Sequence, residues 1–102
     1  MRDTGAPVAD VILHIRNPSG LHARPAALFV KTAAGFRADL VLTNLTRDAT
    51  RSASAKSMLG VLGLGVSHGH ELRLEASGDD ADVALTALAQ LVEDGLGESI
   101  EP

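Results

Sequence analysis

The 102-residue sequence predicts an α+β fold in which one sheet, with an antiparallel hairpin at its middle, carries helices on a single face. Three observations point there. Stretches with the period of two that marks half-buried strands interleave with stretches whose apolar residues recur at helical spacing. Two of the strand-like stretches lie close enough in sequence to form a hairpin. Hydrophobic residues make up 45% of the chain and aromatics only 2%, which describes a globular core of Leu, Val, Ile and Ala with Phe29 and Phe36 as large fillers.

Each element follows from local pattern. Val11, Leu13 and Ile15 alternate with Ile12, His14 and Arg16, so a first strand buries its odd-numbered side and stops at Asn17-Pro18-Ser19-Gly20. Pro25 suits the first turn of a helix, and Ala26, Phe29, Val30 and Ala33 form one apolar face that ends near Gly35. Ala38 to Thr43 reads as a second strand and Thr50 to Ala55 as a weaker, polar third, joined by a turn around Asn44 to Asp48. Ser57 is a sound N-cap for a short helix, Met58 to Leu62, which Gly60, Gly63 and Gly65 keep short. Glu71 to Ala76 alternates with its apolar side on even numbers, a fourth strand closed by Ser77-Gly78-Asp79-Asp80. Asp80 then caps a last helix with the stripe Ala81, Ala84, Leu85, Leu88, Leu91 and Val92, ending at Gly95. The order is β-α-β-β-α-β-α in one domain over residues 9–98, with residues 1–8 and 99–102 as tails.

Composition excludes several classes of function. The absence of cysteine removes disulfides, thiolate chemistry and Cys-type zinc sites, and suits a cytoplasmic protein. No apolar run is long enough to enter a membrane as a span, and Met1 to Asp10 lacks the pattern of a secretory signal. A net charge of −4 with so few stacking rings argues against nucleic acid as a partner. His68-Gly69-His70 lacks a third ligand and reads as a turn, not a metal site, and the glycines from Gly63 to Gly69 match neither a dinucleotide nor a P-loop fingerprint. No cofactor is expected.

The chemistry concentrates in Gly20-Leu21-His22-Ala23-Arg24-Pro25-Ala26. A histidine there stands at the mouth of a helix, beside backbone N–H groups without intrahelical partners, the positive end of the helix dipole and the Arg24 guanidinium. Such a place can hold an anion next to a nucleophilic imidazole. The same residues also fit a plainer reading, with His22 as a capping residue and Arg24 as a solvated first-turn charge. The residues alone leave both open.

The string around His22 resembles the active-site motif of the histidine-containing phosphocarrier proteins, HPr, of the bacterial phosphoenolpyruvate-dependent sugar phosphotransferase system. Ser54-Ala55-Lys56-Ser57-Met58-Leu59-Gly60-Val61-Leu62-Gly63-Leu64-Gly65-Val66 resembles that family's second signature, and Glu75-Ala76-Ser77-Gly78-Asp79-Asp80-Ala81 its following strand-to-helix passage. The resemblance implies an HPr-like open-faced β-sandwich, a four-stranded antiparallel sheet with three helices on one face. It also implies a carrier, not an enzyme: His22 takes a phosphoryl group on Nδ1 from phospho-enzyme I, Arg24 stabilises it, and Ala23 and Arg24 offer backbone N–H groups. The group then passes to the IIA components of sugar permeases. Ala27, Met58, Leu59 and Leu62 would form an apolar docking ring, with Lys56 and Arg24 meeting acidic partner surfaces, in a monomer without metal or cofactor. Ser57 matches the serine modified by HPr kinase/phosphorylase, a reading that stands beside its capping role.

Two departures stand out. The stretch from Leu42 to Arg51 is a few residues longer than a typical family hairpin, and the N-terminus begins several residues early. The alternatives that remain are a regulatory HPr paralogue of nitrogen or catabolite control, an HPr module of a multidomain phosphotransferase such as a dihydroxyacetone kinase relay, and a ligand-binding α+β domain whose His22 merely caps a helix.

Overall fold

A computed structural model describes residues 8–99. Its elements are β1 (Val8–His14), α1 (Ala23–Ala34), β2 (Asp39–Asn44), β3 (Ser52–Ser54), α2 (Met58–Gly63), β4 (Glu71–Ser77) and α3 (Ala81–Glu93). The four strands form one sheet in the order β1-β4-β2-β3, every neighbouring pair antiparallel, so the last strand is inserted between the first two. The order read from the sequence is the order observed.

Register explains which side is covered. Leu13 pairs with Leu72 and Val11 with Leu74 across β1 and β4, while Leu42 pairs with Leu74 and Leu40 with Ala76 across β2 and β4. Because side chains alternate along a strand, the odd positions of β1 and the even positions of β2 and β4 share one face. Against it pack Ala26, Phe29 and Ala33 of α1, Val61 of α2, and Ala84 and Leu88 of α3, all fully buried. Each large aliphatic or aromatic side chain placed there contributes about 1.5–3 kcal/mol relative to exposure. The other face stays open and bears Asp10, Ile12, Arg73 and Asp39. Arg73 Nε lies 3.7 Å from Asp10 Oδ2 across it, and His14 Nδ1 3.4 Å from Glu71 Oε2; both pairs lie in water and contribute little.

The structure departs from the sequence reading in three places. The third strand is only Ser52–Ser54 where Thr50 to Ala55 is expected. Asp48 accounts for the loss at Thr50 and Arg51: its carboxylate accepts from the Thr50 N–H at 3.0 Å and hydroxyl at 2.6 Å, and its carbonyl from the Arg51 N–H, so the chain is held in a local turn. Asp80 occupies the N-cap position of α3 but makes no side-chain cap there. Its carboxylate accepts instead from the N–H groups of Arg37 and Ala38 at 2.9 and 2.8 Å, pinning the entry to β2. Val8, expected in a tail, already pairs with Ser77; the remaining tail residues expected at 1–7 and 100–102 lie outside the described residues.

Past α3 the chain reverses sharply. Gly95, Leu96 and Gly97 all have positive φ, 93°, 52° and 84°, and Leu96 is the one described non-glycine residue in that region. Burial of its side chain, 2% exposed, and a 3.0 Å bond from its N–H to the Leu91 carbonyl hold it there. The reversal carries Glu98 back to the segment between β1 and α1.

Candidate functional site

That segment is a tight turn fixed from several directions. The Asn17 carbonyl accepts from the Gly20 N–H at 3.3 Å, and the buried Asn17 amide donates to the Gly20 carbonyl and to Glu98 Oε1, both at 2.9 Å. Glu98 also accepts from the Ser19 N–H at 3.1 Å and hydroxyl at 2.7 Å. The Asn17 amide, then the Ser19 groups, hold the Glu98 carboxyl below the ordinary carboxylate range, with a smaller pull from Arg24. Gly20 has φ +62°, and a Cβ there would overlap the Val66 carbonyl; glycine is what lets the turn cross this strand of backbone and lets Leu21 N–H bond Val66 at 3.1 Å.

His22 emerges from that crossing as the N-cap of α1, with φ −80° and ψ −173°. Its carbonyl accepts from the Ala26 N–H at 2.7 Å, the first bond of the helix. Its imidazole is exposed and makes no capping bond. The N–H groups of Ala23 and Arg24 find no acceptor among the described residues, and Pro25 has none to offer. The first turn of α1 contains no acidic side chain that would fill this positive end. The geometry is an open helix start with a free imidazole at its lip.

A cleft of about 230 Å³ opens beside His22, walled by Leu21, Arg47, Leu62, Gly65 and Ser67. Arg24 lines a different cleft, shared with Leu28, Leu96 and Glu98. Ala27 is exposed on α1. On α2, Leu59 is 85% and Leu62 39% exposed, whereas Met58 is half-buried against the core. Lys56 is engaged within the chain, its ammonium donating to the Phe36 carbonyl at 2.7 Å. Ser57 caps α2, its hydroxyl accepting from the Gly60 N–H at 3.0 Å.

The link from Asn17 to Glu98 and the place of Arg47 beside His22 carry no signal in local sequence pattern, because the residues they join are distant in the chain. Asn44 is similar: buried, it gives its amide to the Leu64 carbonyl at 3.2 Å and meets His70 Nδ1 at 3.1 Å. His70 Nδ1 also accepts from the Ser67 N–H, so that histidine is committed to fixing its turn. Among the described residues no cluster of three or more histidine or acidic side chains is placed to hold a metal, and no helix is long and apolar enough to cross a membrane.

Residues 11–94 match the family model described as the PTS HPr component phosphorylation site. A multiphosphoryl transfer protein of Haemophilus influenzae is 43% identical over 86 residues, which are 84% of this chain but 17% of that protein; the chain thus spans a minor part of such relatives. The phosphocarrier protein HPr of Haloferax volcanii is 51% identical over 73 residues, 72% of this chain and 80% of that one. Among solved structures, HPr from Thermoanaerobacter tengcongensis superposes with a TM-score of 0.82 at 41% identity, covering 90% of this chain and 99% of that one.

Proposed function

The chain belongs to the HPr phosphocarrier family of the phosphotransferase system, and we propose that it accepts a phosphoryl group from phospho-enzyme I on His22 and delivers it to the IIA components of sugar permeases. The observation that carries this reading is the exposed, uncommitted imidazole at an N-terminus whose backbone donors are free. In the transfer, the Nδ1 lone pair of neutral His22 forms the new bond to phosphorus while the bond from phosphorus to its donor breaks and takes its electron pair away. The phosphoryl oxygens gain the N–H groups of Ala23 and Arg24, the α1 dipole and the Arg24 guanidinium once it turns from the Glu98 side. The chain acts as substrate and donor in the cytoplasm, catalysing nothing by itself. Ala27, Leu59 and Leu62, with the exposed edge of Met58, supply a small apolar docking face from which a partner can leave quickly.

Ser57 is read first as a cap, since its hydroxyl already accepts a backbone bond. A phosphate placed there by HPr kinase/phosphorylase would put negative charge beside the docking face and weaken transfer. A second reading, favoured by the 43% identity to multiphosphoryl transfer proteins, is that the same carrier works as one module of a longer relay.

Incubation with phosphoenolpyruvate, enzyme I and magnesium tests the proposal. The expected product is a single acid-labile adduct on His22; its absence from a folded preparation sinks the reading. Sugar permease genes beside the coding sequence would support a free carrier, and a longer reading frame the relay.

A further inference from the structure

The turn joining β2 to β3 is folded back toward His22. Asn44 Oδ1 accepts from the N–H groups of Thr46 and Arg47, both at 3.2 Å, and the Asn44 carbonyl from the Asp48 N–H at 3.0 Å. Thr46 Oγ1 accepts from the Glu71 N–H at 2.9 Å, tying the turn to the start of β4. With the Asn44 amide on the Leu64 carbonyl, these bonds seat the turn against the chain that follows α2.

Arg47 is the residue this folding delivers. Its guanidinium lies over Gly65, where φ is +61° and any Cβ would overlap it. It forms a wall of the cleft that His22 also lines. No carboxylate stands within ion-pair distance of it among the described residues. The nearest acid in sequence, Asp48, is occupied by Thr50 and held below the usual carboxylate range chiefly by those bonds. An uncompensated guanidinium on a glycine floor beside a phosphate-accepting imidazole matches the needs of a tetrahedral dianion, for which the planar fork of arginine offers paired donors.

We propose that Arg47 is a second phosphoryl-binding residue, gripping the oxygens of the group on His22 from the hairpin wall of the shared cleft. This rests on the phosphocarrier reading of His22. Arg24 faces the Glu98 cleft, so the two arginines serve the His22 turn from separate clefts, one near the C-terminal segment and one in the hairpin.

The experiment combines kinetics with phosphorus NMR on wild type, Arg47→Ala, Arg47→Lys and Arg51→Ala. Arg51 lies in the same turn but does not line the His22 cleft, so its variant reports general loosening or loss of charge. Arg47→Ala is expected to slow phosphoryl acceptance about tenfold, the loss typical of a charged hydrogen bond. It should also raise the phosphoryl protonation midpoint by about one pH unit, because a nearby cation favours the dianion. Arg47→Lys should recover part of both, and Arg51→Ala should match wild type. A wild-type protein that enzyme I cannot phosphorylate overturns the carrier reading and this proposal together. Wild type that is phosphorylated, with an unmoved midpoint in Arg47→Ala, overturns this proposal alone even if the rate of that variant falls, since a rate loss by itself would assign Arg47 to partner docking. If Arg47→Ala unfolds more readily than wild type, the uncharged Arg47→Gln decides instead, a raised midpoint upholding the proposal and an unmoved one overturning it.

Discussion

The starts of α1 and α2 are built in opposite ways. At α2 the Ser57 hydroxyl closes on the Gly60 N–H, as a helix start usually requires. At α1 the cap position holds a histidine whose ring is exposed, leaving the Ala23 and Arg24 N–H groups without an acceptor among the described residues. A capping side chain at α1 would stabilise the helix and occupy the donors a phosphoryl group needs. Under the proposed function the closed end serves the fold and the open end the chemistry, and α1 is kept in place by the burial of Pro25, Ala26, Phe29 and Ala33 instead.

Several substitutions would break or sharpen that contrast. The largest effect is expected from His22→Ala: complete loss of the phosphoryl adduct by mass spectrometry, with a melting temperature close to wild type because the imidazole caps nothing. Leu59→Asp should next raise the KM for partner proteins by roughly tenfold with kcat nearly kept, since an exposed apolar contact on α2 is replaced by a charge. Ser57→Ala should cost about 1 kcal/mol in denaturant unfolding while adduct formation persists. His22→Ser should do the reverse, removing the adduct but gaining about 0.5 kcal/mol by closing the open end; a loss of stability there would contradict the account of α1. The smallest effect belongs to the third helix start. The Asp80 carboxyl is held below its ordinary value first by the Arg37 N–H, so its stabilisation is complete above pH 3.8 and fades as pH falls through the lower folded value. Asp80→Asn should accordingly lower the melting temperature at pH 7, with the gap to wild type narrowing below pH 3.8.

What was legible in the sequence was whatever repeats at short range. The alternation in β1 and β4, the stripes of α1 and α3 and the Ser57 cap are all set within a few residues, and all are observed. Asp80 shows the limit. Its type and place announced a helix cap, yet two N–H groups at Arg37 and Ala38 win its carboxylate through a contact that only the assembled fold creates. The shortened third strand has a nearer cause in the Asp48 turn, where side-chain bonds outcompete ladder bonds. Around His22, the motif marked the histidine and its turn, but Glu98 and Arg47 reach that turn only because the segment after α3 and the β2–β3 hairpin bring remote chain alongside.

The Gly20 crossing has a thermodynamic consequence. Ordering a residue's backbone costs about 1–2 kcal/mol, and a flexible acceptor loop would incur that at each encounter with a partner. Here Val66, Asn17 and Glu98 fix the turn during folding, so little ordering entropy remains to be lost when two proteins meet. Encounter is then limited by orientation and charge, which suits the proposed carrier, passing its phosphoryl group from one partner to the next.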